Sequence, residues 1–284
     1  MTDHPESPLR RAFLAGCCAC LLPSARGAAA TRLVRQQLIL SNPGQTPLHD
    51  ATALFYAPAR LAAGQRLATL DIDQPHRLIE DRAGNTLVEL PIRELAPFAS
   101  RIVRVTARLE IPSTPAAPDL APYLLASPFV EVDAPAIRAL AASLRRASSR
   151  ETVQAIHAWV NSHLQYAGFV AEDRGAAQAL AQGRGDCTEF AYLCVALARA
   201  CDIPARMVGG YLMETDGAVR SVTYHNWAEV WLAAQWQIVD AQRGPLFPAP
   251  LRYVAFRIQP LVEHPAMQGA HKFSASPGLR LVMH

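Results

Sequence analysis

The sequence predicts an α+β protein in which an antiparallel β module precedes a module of mixed helices and strands. Between residues 31 and 118, apolar and polar residues alternate with period two, which is typical of half-buried strands. From Pro135 onward apolar residues recur every three or four positions, as in helices, and alternating segments return after residue 205. A proline-rich segment from Pro112 to Pro122 separates the two patterns, so we expect two domains, at residues 31–118 and 119–284.

The composition excludes two classes of protein. With 51% hydrophobic and 18% charged residues, the chain is too apolar for an intrinsically disordered protein. A net charge of +3 over 284 residues gives little attraction for phosphates, so no nucleic-acid partner is expected. The 27 basic residues include a single lysine, Lys272.

Residues 1–30 have the features of an export signal. Arg10 and Arg11 precede a short apolar segment, Ala12 to Leu22, and small residues at 28–30 resemble a cleavage site. The apolar segment is far shorter than the roughly 20 residues that a membrane-spanning helix needs, and no later segment reaches that length. We therefore predict a periplasmic or secreted protein without a stable membrane span.

Three export routes fit this segment. The arginine pair followed by Phe13 and Leu14 resembles the twin-arginine signal, which is the preferred interpretation. An ordinary secretory signal with two arginines is the main alternative. The residues up to Cys17 also resemble a lipobox, so a lipid anchor on Cys17 is a minor alternative.

The first module is predicted to be an antiparallel β-sandwich. Leu33 to Leu40, Thr52 to Tyr56 and residues 101–109 alternate as strands do. Asn42-Pro43-Gly44 is a strong turn signal between the first two of these segments. Several short strands joined by such turns are typical of a sandwich.

Cys187 follows a loop at residues 183–186 and stands at the predicted start of an apolar helix. A helix amino terminus carries partial positive charge and unpaired N–H groups, which stabilise a thiolate and can bind an oxyanion. We therefore expect a lowered pKa for the Cys187 thiol. Cys194 and Cys201 follow at intervals of seven residues on the apolar stripe and are expected to be structural.

A base for this nucleophile is predicted on the strands that follow the helix. Residues 225–231 alternate with His225 on the same face as Trp227, and residues 236–240 form the next strand. Pairing the two as a hairpin with its turn near Leu232 and Ala233 sets His225 directly opposite Asp240. A carboxylate in that position can orient an imidazole.

Four segments together resemble the transglutaminase-like superfamily, in particular its exported bacterial cysteine peptidase type. They are Gly185 to Ala191, Ile203 to Tyr211, His225 to Val230 and Trp236 to Asp240, within a resemblance that covers roughly residues 120–245. The resemblance implies a papain-like α+β core with a cysteine helix packed on an antiparallel sheet. The first module also resembles domains that often precede this core.

The resemblance further implies the roles of the site residues. Cys187 would be the nucleophile, His225 the base and Asp240 the residue that orients the base. Tyr166 or Trp159 would be an oxyanion donor by position alone, with core packing the preferred role for Trp159. This chemistry requires neither a cofactor nor a metal.

A Cys-His-Asp triad predicts a thioester intermediate with a protein or peptide substrate. Attack by water gives hydrolysis of an amide or peptide bond, which is the preferred function. Attack by an amine gives transglutaminase activity, the first alternative. A catalytically silent secreted binding or scaffold protein is the second, and the intact set of Cys187, His225 and Asp240 argues against it.

Overall fold

A computed structural model describes residues 31–111, 118–169, 172–259, 264–267 and 271–283. The predicted export signal and residues 112–117 of the predicted linker lie outside the described residues. The fold is α+β with mainly antiparallel sheets, which confirms the predicted class. Within the described residues, no helix combines the length and apolar character needed to cross a membrane.

Between residues 31 and 110 the regular secondary structure consists only of strands, which are joined by turns. The strands are β1 (Thr31–Ser41), β2 (Leu48–Ala57), β3 (Leu61–Ala62), β4 (Gln65–Ile72), β5 (Arg77–Glu80), β6 (Thr86–Leu95) and β7 (Ser100–Glu110). The alternation in the sequence appears directly in β1, where every second residue is buried from Arg32 to Leu40. Such alternation buries one face of each strand against the facing sheet.

The rest of the described chain contains four α-helices and nine further strands. The helices are α1 (Pro135–Leu144), α2 (Ser149–His163), α3 (Ala176–Gln182) and α4 (Cys187–Ala200). The strands are β8 (Gln165–Tyr166), β9 (Arg184–Gly185), β10 (Ala205–Leu212), β11 (Gly217–Ala218), β12 (Tyr224–Leu232), β13 (Gln235–Val239), β14 (Tyr253–Ile258), β15 (Phe273–Ala275) and β16 (Arg280–Met283).

Two sheets form the sandwich, and both take strands from the carboxyl-terminal part of the chain. One sheet has the order β11-β1-β7-β4-β3 with β16 also on β1, and the other has the order β15-β2-β6-β5. Apolar side chains from both sheets fill the space between them, among them Leu38, Leu40, Phe55, Val88, Ile92, Val103 and Val105. β11, β15 and β16 lie beyond residue 118 and are two to four residues long, too short to leave a clear periodic pattern in the sequence.

The second module places α4 across an antiparallel sheet of order β13-β12-β10-β14. Apart from its first and last residues, α4 is buried along its length. Its apolar side chains pack with those of α1, α2 and α3 and with Ala228 and Val230 of β12 in one core. This burial fixes the position of the helix start relative to the sheet.

The hairpin of β12 and β13 differs in register from the prediction. Ala228 pairs with Val239 and Leu232 pairs with Gln235. The turn is the two-residue loop Ala233-Ala234, with φ values of 51° and 60°, as in the tight turns that match strand twist. Because this loop lies one residue later than predicted, the register shifts by two and every side chain keeps its predicted face.

Side-chain amides from the sandwich bond to β14, which is the edge strand of the second module's sheet. Gln65 donates from Nε2 to the Ala255 carbonyl (2.9 Å) and accepts at Oε1 from the Ala255 N–H (2.9 Å). Asn85 does the same with Ile258, at 2.7 and 2.6 Å. Buried backbone groups must be paired, and an open sheet edge exposes a row of them. The two amides therefore complete this edge and join the modules.

We predict that Asn85→Ala destabilises the protein by roughly 1–3 kcal/mol for each Ile258 backbone group that it leaves unpaired. Urea unfolding followed by circular dichroism measures the loss. The control is Gln45→Ala, since Gln45 is exposed in a turn. An Asn85→Ala midpoint equal to that of the control would show that the amide does not contribute to joining the modules.

Candidate active site

The start of α4 is held by a reciprocal pair of hydrogen bonds. Asp186 is the N-cap, and its carboxylate accepts from the Thr188 N–H (2.7 Å) and from the backbone of Glu189. Glu189 in turn accepts from the Asp186 N–H (3.0 Å), which completes a capping box. A Cβ at Gly185 would lie 2.4 Å from the Cβ of Glu189, so only glycine fits before the cap. This arrangement fixes Cys187 as the first helical residue.

The environment of Cys187 corrects one prediction. Burial raises the pKa of the Cys187 thiol to about 11, and the charge of Asp186 acts in the same direction. Hydrogen bonding from the Asn226 backbone and the Thr188 side chain lowers the pKa but does not outweigh burial. The expected lowered pKa is therefore wrong. Although Cys187 is partly exposed, burial disfavours its thiolate more strongly than the positive end of the helix stabilises it.

His225 and Asp240 form a buried hydrogen-bonded pair. His225 Nε2 lies 2.8 Å from Asp240 Oδ2, although the two residues are not directly opposite in the strand register. Asp240 lies immediately after β13, and its second oxygen accepts from the Arg243 N–H (3.1 Å). Tyr253 on β14 donates its hydroxyl to the same oxygen as His225, at 2.8 Å. The carboxylate is thus held from three directions.

Asn226 links this pair to the helix start. Its Nδ2 donates to Thr188 Oγ1 (2.9 Å), and its backbone hydrogen-bonds the Cys187 sulfur. The charge of Asp240 also reaches that sulfur. Because Asn226 is the residue next to His225, the thiol, the imidazole and the carboxylate occupy one region.

Aromatic side chains exclude water from the imidazole. Trp227 stacks beside His225 with ring centroids 6.3 Å apart, and Tyr253 meets Trp227 edge-on at 5.1 Å. Gly210 lies under this layer, where a Cβ would meet the Val254 carbonyl oxygen at 2.0 Å and Trp227 at 2.9 Å. A low local dielectric strengthens the bond between His225 and its carboxylate.

The two oxyanion candidates have different environments. Tyr166 is 58% exposed on β8, which pairs in parallel with β9 so that Tyr166 lies beside Gly185, two residues before Cys187. Trp159 packs against the core and stacks on His163 with centroids 4.3 Å apart. Of the two, Tyr166 is therefore the one placed beside the cysteine loop.

The other two described cysteines are buried and unpaired by disulfides. Burial raises the pKa of Cys194, and Cys201 donates to the Ala141 carbonyl at 3.3 Å. These positions agree with the structural role expected from the apolar stripe. Among the described residues no group of three or more His, Cys, Asp or Glu side chains is placed to hold a metal ion.

A further polar cluster was not predicted from the sequence. Asp173 accepts from the Tyr192 hydroxyl (2.7 Å) and pairs with His271 (3.0 Å), which joins α4 to the carboxyl-terminal segment. The role of Tyr253 was not predicted either, because no pattern in the sequence indicates that its hydroxyl bonds to Asp240. The capping box, in contrast, was readable as Asp186 followed three residues later by Glu189.

Comparison with known proteins finds a family and several solved structures that are similar to parts of this chain. The profile of the transglutaminase-like superfamily matches residues 138–241. An uncharacterized protein of Mycobacterium leprae (strain TN) is 35% identical over 92 residues, which are 31% of this chain and 33% of that protein. The match thus spans about a third of that relative's length.

Two solved structures are similar to this chain over most of its length. A candidate cysteine protease from Cytophaga hutchinsonii is 18% identical, with a TM-score of 0.60 over 90% of this chain and 91% of that one. The periplasmic domain of TgpA from Pseudomonas aeruginosa is 21% identical, with a TM-score of 0.38 over 73% and 70%. The first similarity extends over both modules and shows that they share a known fold, and residues 138–241 are similar to the transglutaminase-like superfamily.

Proposed function

We propose that this chain is a thiol-dependent hydrolase of amide or peptide bonds that acts through a thioester on Cys187. The observation that carries the proposal is the buried His225–Asp240 hydrogen bond beside the start of α4. A buried carboxylate that holds an imidazole next to a cysteine at a helix start is the arrangement of a nucleophile, its base and an orienting group.

Because the pKa of Cys187 is raised, its thiol proton must be removed as the sulfur attacks, and His225 is the proposed general base. Asp240 is bound to Nε2, which leaves Nδ1 as the nitrogen that can take the thiol proton. As the sulfur attacks the carbonyl carbon, its proton passes to His225, which then gives it to the departing amine. Water attacks the thioester, loses a proton to His225, and releases a carboxylic acid and the thiol.

The helix start also supplies an oxyanion donor. The N–H groups of Thr188 and Glu189 are bound to the Asp186 side chain, and that of Phe190 to the Asp186 carbonyl. In the described part of the chain no acceptor bonds to the Cys187 N–H, so it is the donor that can bind the developing oxyanion. Tyr166, beside Gly185, is the candidate for a second donor from its hydroxyl.

Proteins or peptides are the proposed substrates. The Cys187 thiol is partly exposed at the start of α4, close to β8, so a substrate must bring its reactive carbonyl group to this part of the surface. With an amine in place of water, the same thioester would give transamidation, so the two activities differ only at the second step. A periplasmic or secreted location is proposed from the arginine-containing export signal in the sequence.

Ammonia release from glutamine-containing peptides tests the function. We expect release without added amine, and a loss of more than about 10³-fold in kcat/KM for Cys187→Ala. Cys194→Ala is the matched control, because it removes a buried thiol outside the site, and should retain activity. A rate that depends on an added primary amine would identify a transglutaminase instead. If folded wild-type protein releases no ammonia and creates no new peptide amino terminus across a peptide library, both activities are contradicted.

The pH dependence of alkylation tests the general-base assignment. With a pKa of about 11, roughly one Cys187 in 10⁴ is a thiolate at pH 7, and the fraction grows about tenfold for each pH unit up to 10. We therefore expect the rate of iodoacetamide labelling at Cys187, measured by mass spectrometry, to rise steadily over that range. A rate that is constant from about pH 5 upward would instead indicate a resting thiolate–imidazolium pair.

Tyr166→Phe tests the second oxyanion donor. Loss of a donor that acts only in the transition state should lower kcat by about 10²-fold and leave KM unchanged. Tyr166→Ala should be no worse than Tyr166→Phe in kcat, because the hydroxyl is the group that matters. If Tyr166→Phe retains full kcat, the residue is at most part of the substrate-binding surface.

A further inference from the structure

The single lysine of the chain lies next to the proposed active site. Lys272 immediately precedes β15, and the Tyr56 N–H donates to its carbonyl at 3.0 Å, which ties the backbone to the sandwich. The Lys272 ammonium lies 4.6 Å from the centroid of the Tyr224 ring. Tyr224 is the residue before His225, so the carboxyl-terminal segment brings a positive charge to the first residues of β12.

Other contacts hold this segment in place without the charge of Lys272. The neighbouring His271 pairs with Asp173 at 3.0 Å, and Tyr192 of α4 donates to the same carboxylate. The Tyr224 hydroxyl also donates to the His271 carbonyl at 3.4 Å. The carboxylate of Asp173 is therefore already engaged, and Lys272 is not required to anchor the segment.

The Lys272 ammonium is half-buried, and no carboxylate in the described residues forms an ion pair with it. Partial burial lowers the pKa of Lys272, whereas negative charge on the Cys187 sulfur raises it. A partly desolvated charge costs free energy unless an anion compensates it, and the ring face of Tyr224 compensates only in part. A charge retained at such a cost beside a nucleophile is typical of a functional site.

We propose that Lys272 binds a carboxylate of the substrate close to the scissile amide and so selects acidic acyl donors. The inference rests on the proposed function and narrows its substrate class to peptides with a free carboxylate near the bond that is cleaved. Lys272 supplies the positive charge, and the bound carboxylate supplies the anion that the described residues do not provide.

A second role for the same charge would be to stabilise the Cys187 thiolate, and the two roles have different consequences. Thiolate stabilisation would change the reaction of Cys187 with every electrophile by the same factor. Carboxylate binding would change only the reaction with anionic reagents. The ratio of rates for an anionic and a neutral reagent therefore cancels the thiolate fraction and isolates the second effect.

Alkylation by iodoacetate and iodoacetamide provides that ratio without any turnover. In each reaction the sulfur displaces iodide, and mass spectrometry gives the rate at Cys187. We expect the iodoacetate-to-iodoacetamide ratio to fall about three- to tenfold in Lys272→Met and to be retained in Lys272→Arg. The ratio in the wild type should also fall as salt is added, since salt screens the charge.

Arg138→Met is the matched control, because it removes an exposed cation from α1, away from the site. Circular dichroism confirms that each variant is folded, and Lys272→Gln replaces Lys272→Met if the latter is not. An unchanged ratio in the folded Lys272 variant overturns the proposal. Equal slowing of both reagents also overturns it and assigns the charge to the thiolate.

Paired peptides extend the test to substrates. Two glutamine peptides that differ by Glu or Gln beside the reactive residue should differ in KM in the wild type, and the difference should vanish in Lys272→Met. Equal KM values for the two peptides in the wild type would contradict the proposal. If no peptide reacts but the alkylation ratio behaves as expected, the hydrolase proposal fails and the anion-binding site stands.

Discussion

The hydrogen bond between His225 and Asp240 is the interaction on which the proposed chemistry depends. It joins the first residues of β12 to the residue after β13, and it is buried beneath Trp227. Tyr253 adds a second donor to the same carboxylate oxygen, which fixes the carboxylate and through it the imidazole. A ring held in one orientation loses little entropy when it accepts the thiol proton, which is the purpose of an orienting group in such a site.

This network gives the sandwich a part in the site. Tyr253 lies on β14, and the outer edge of β14 is bonded to Gln65 and Asn85 of the first module. The carboxyl-terminal strands β15 and β16 then return to that module and carry Lys272 to the region of Cys187. The first module thus supports the second at two places. One is β14, whose Tyr253 holds the Asp240 carboxylate, and the other is the segment before β15 that carries Lys272.

The sequence was most informative where local patterns are strong. The strand alternation of residues 31–110, the helix that begins at Cys187 and the positions of His225 and Asp240 on one face could all be predicted. The exact register of β12 and β13 could not be predicted, because it depends on a two-residue turn that lies one position later than the sequence indicates. The sign of the Cys187 pKa shift was also missed, since burial comes from residues distant in sequence. The contacts of Tyr253, Asp173 and Lys272 likewise arise only from tertiary structure.

Trapping of a thioester on Cys187 is the decisive experiment for the proposed chemistry. The protein is mixed with an activated ester, quenched in acid within the first turnover, digested and analysed by mass spectrometry. We expect one acyl group on the peptide that contains Cys187, removable by hydroxylamine and absent from Cys187→Ala. An acyl group on any other residue, or none on folded wild-type protein, would contradict it.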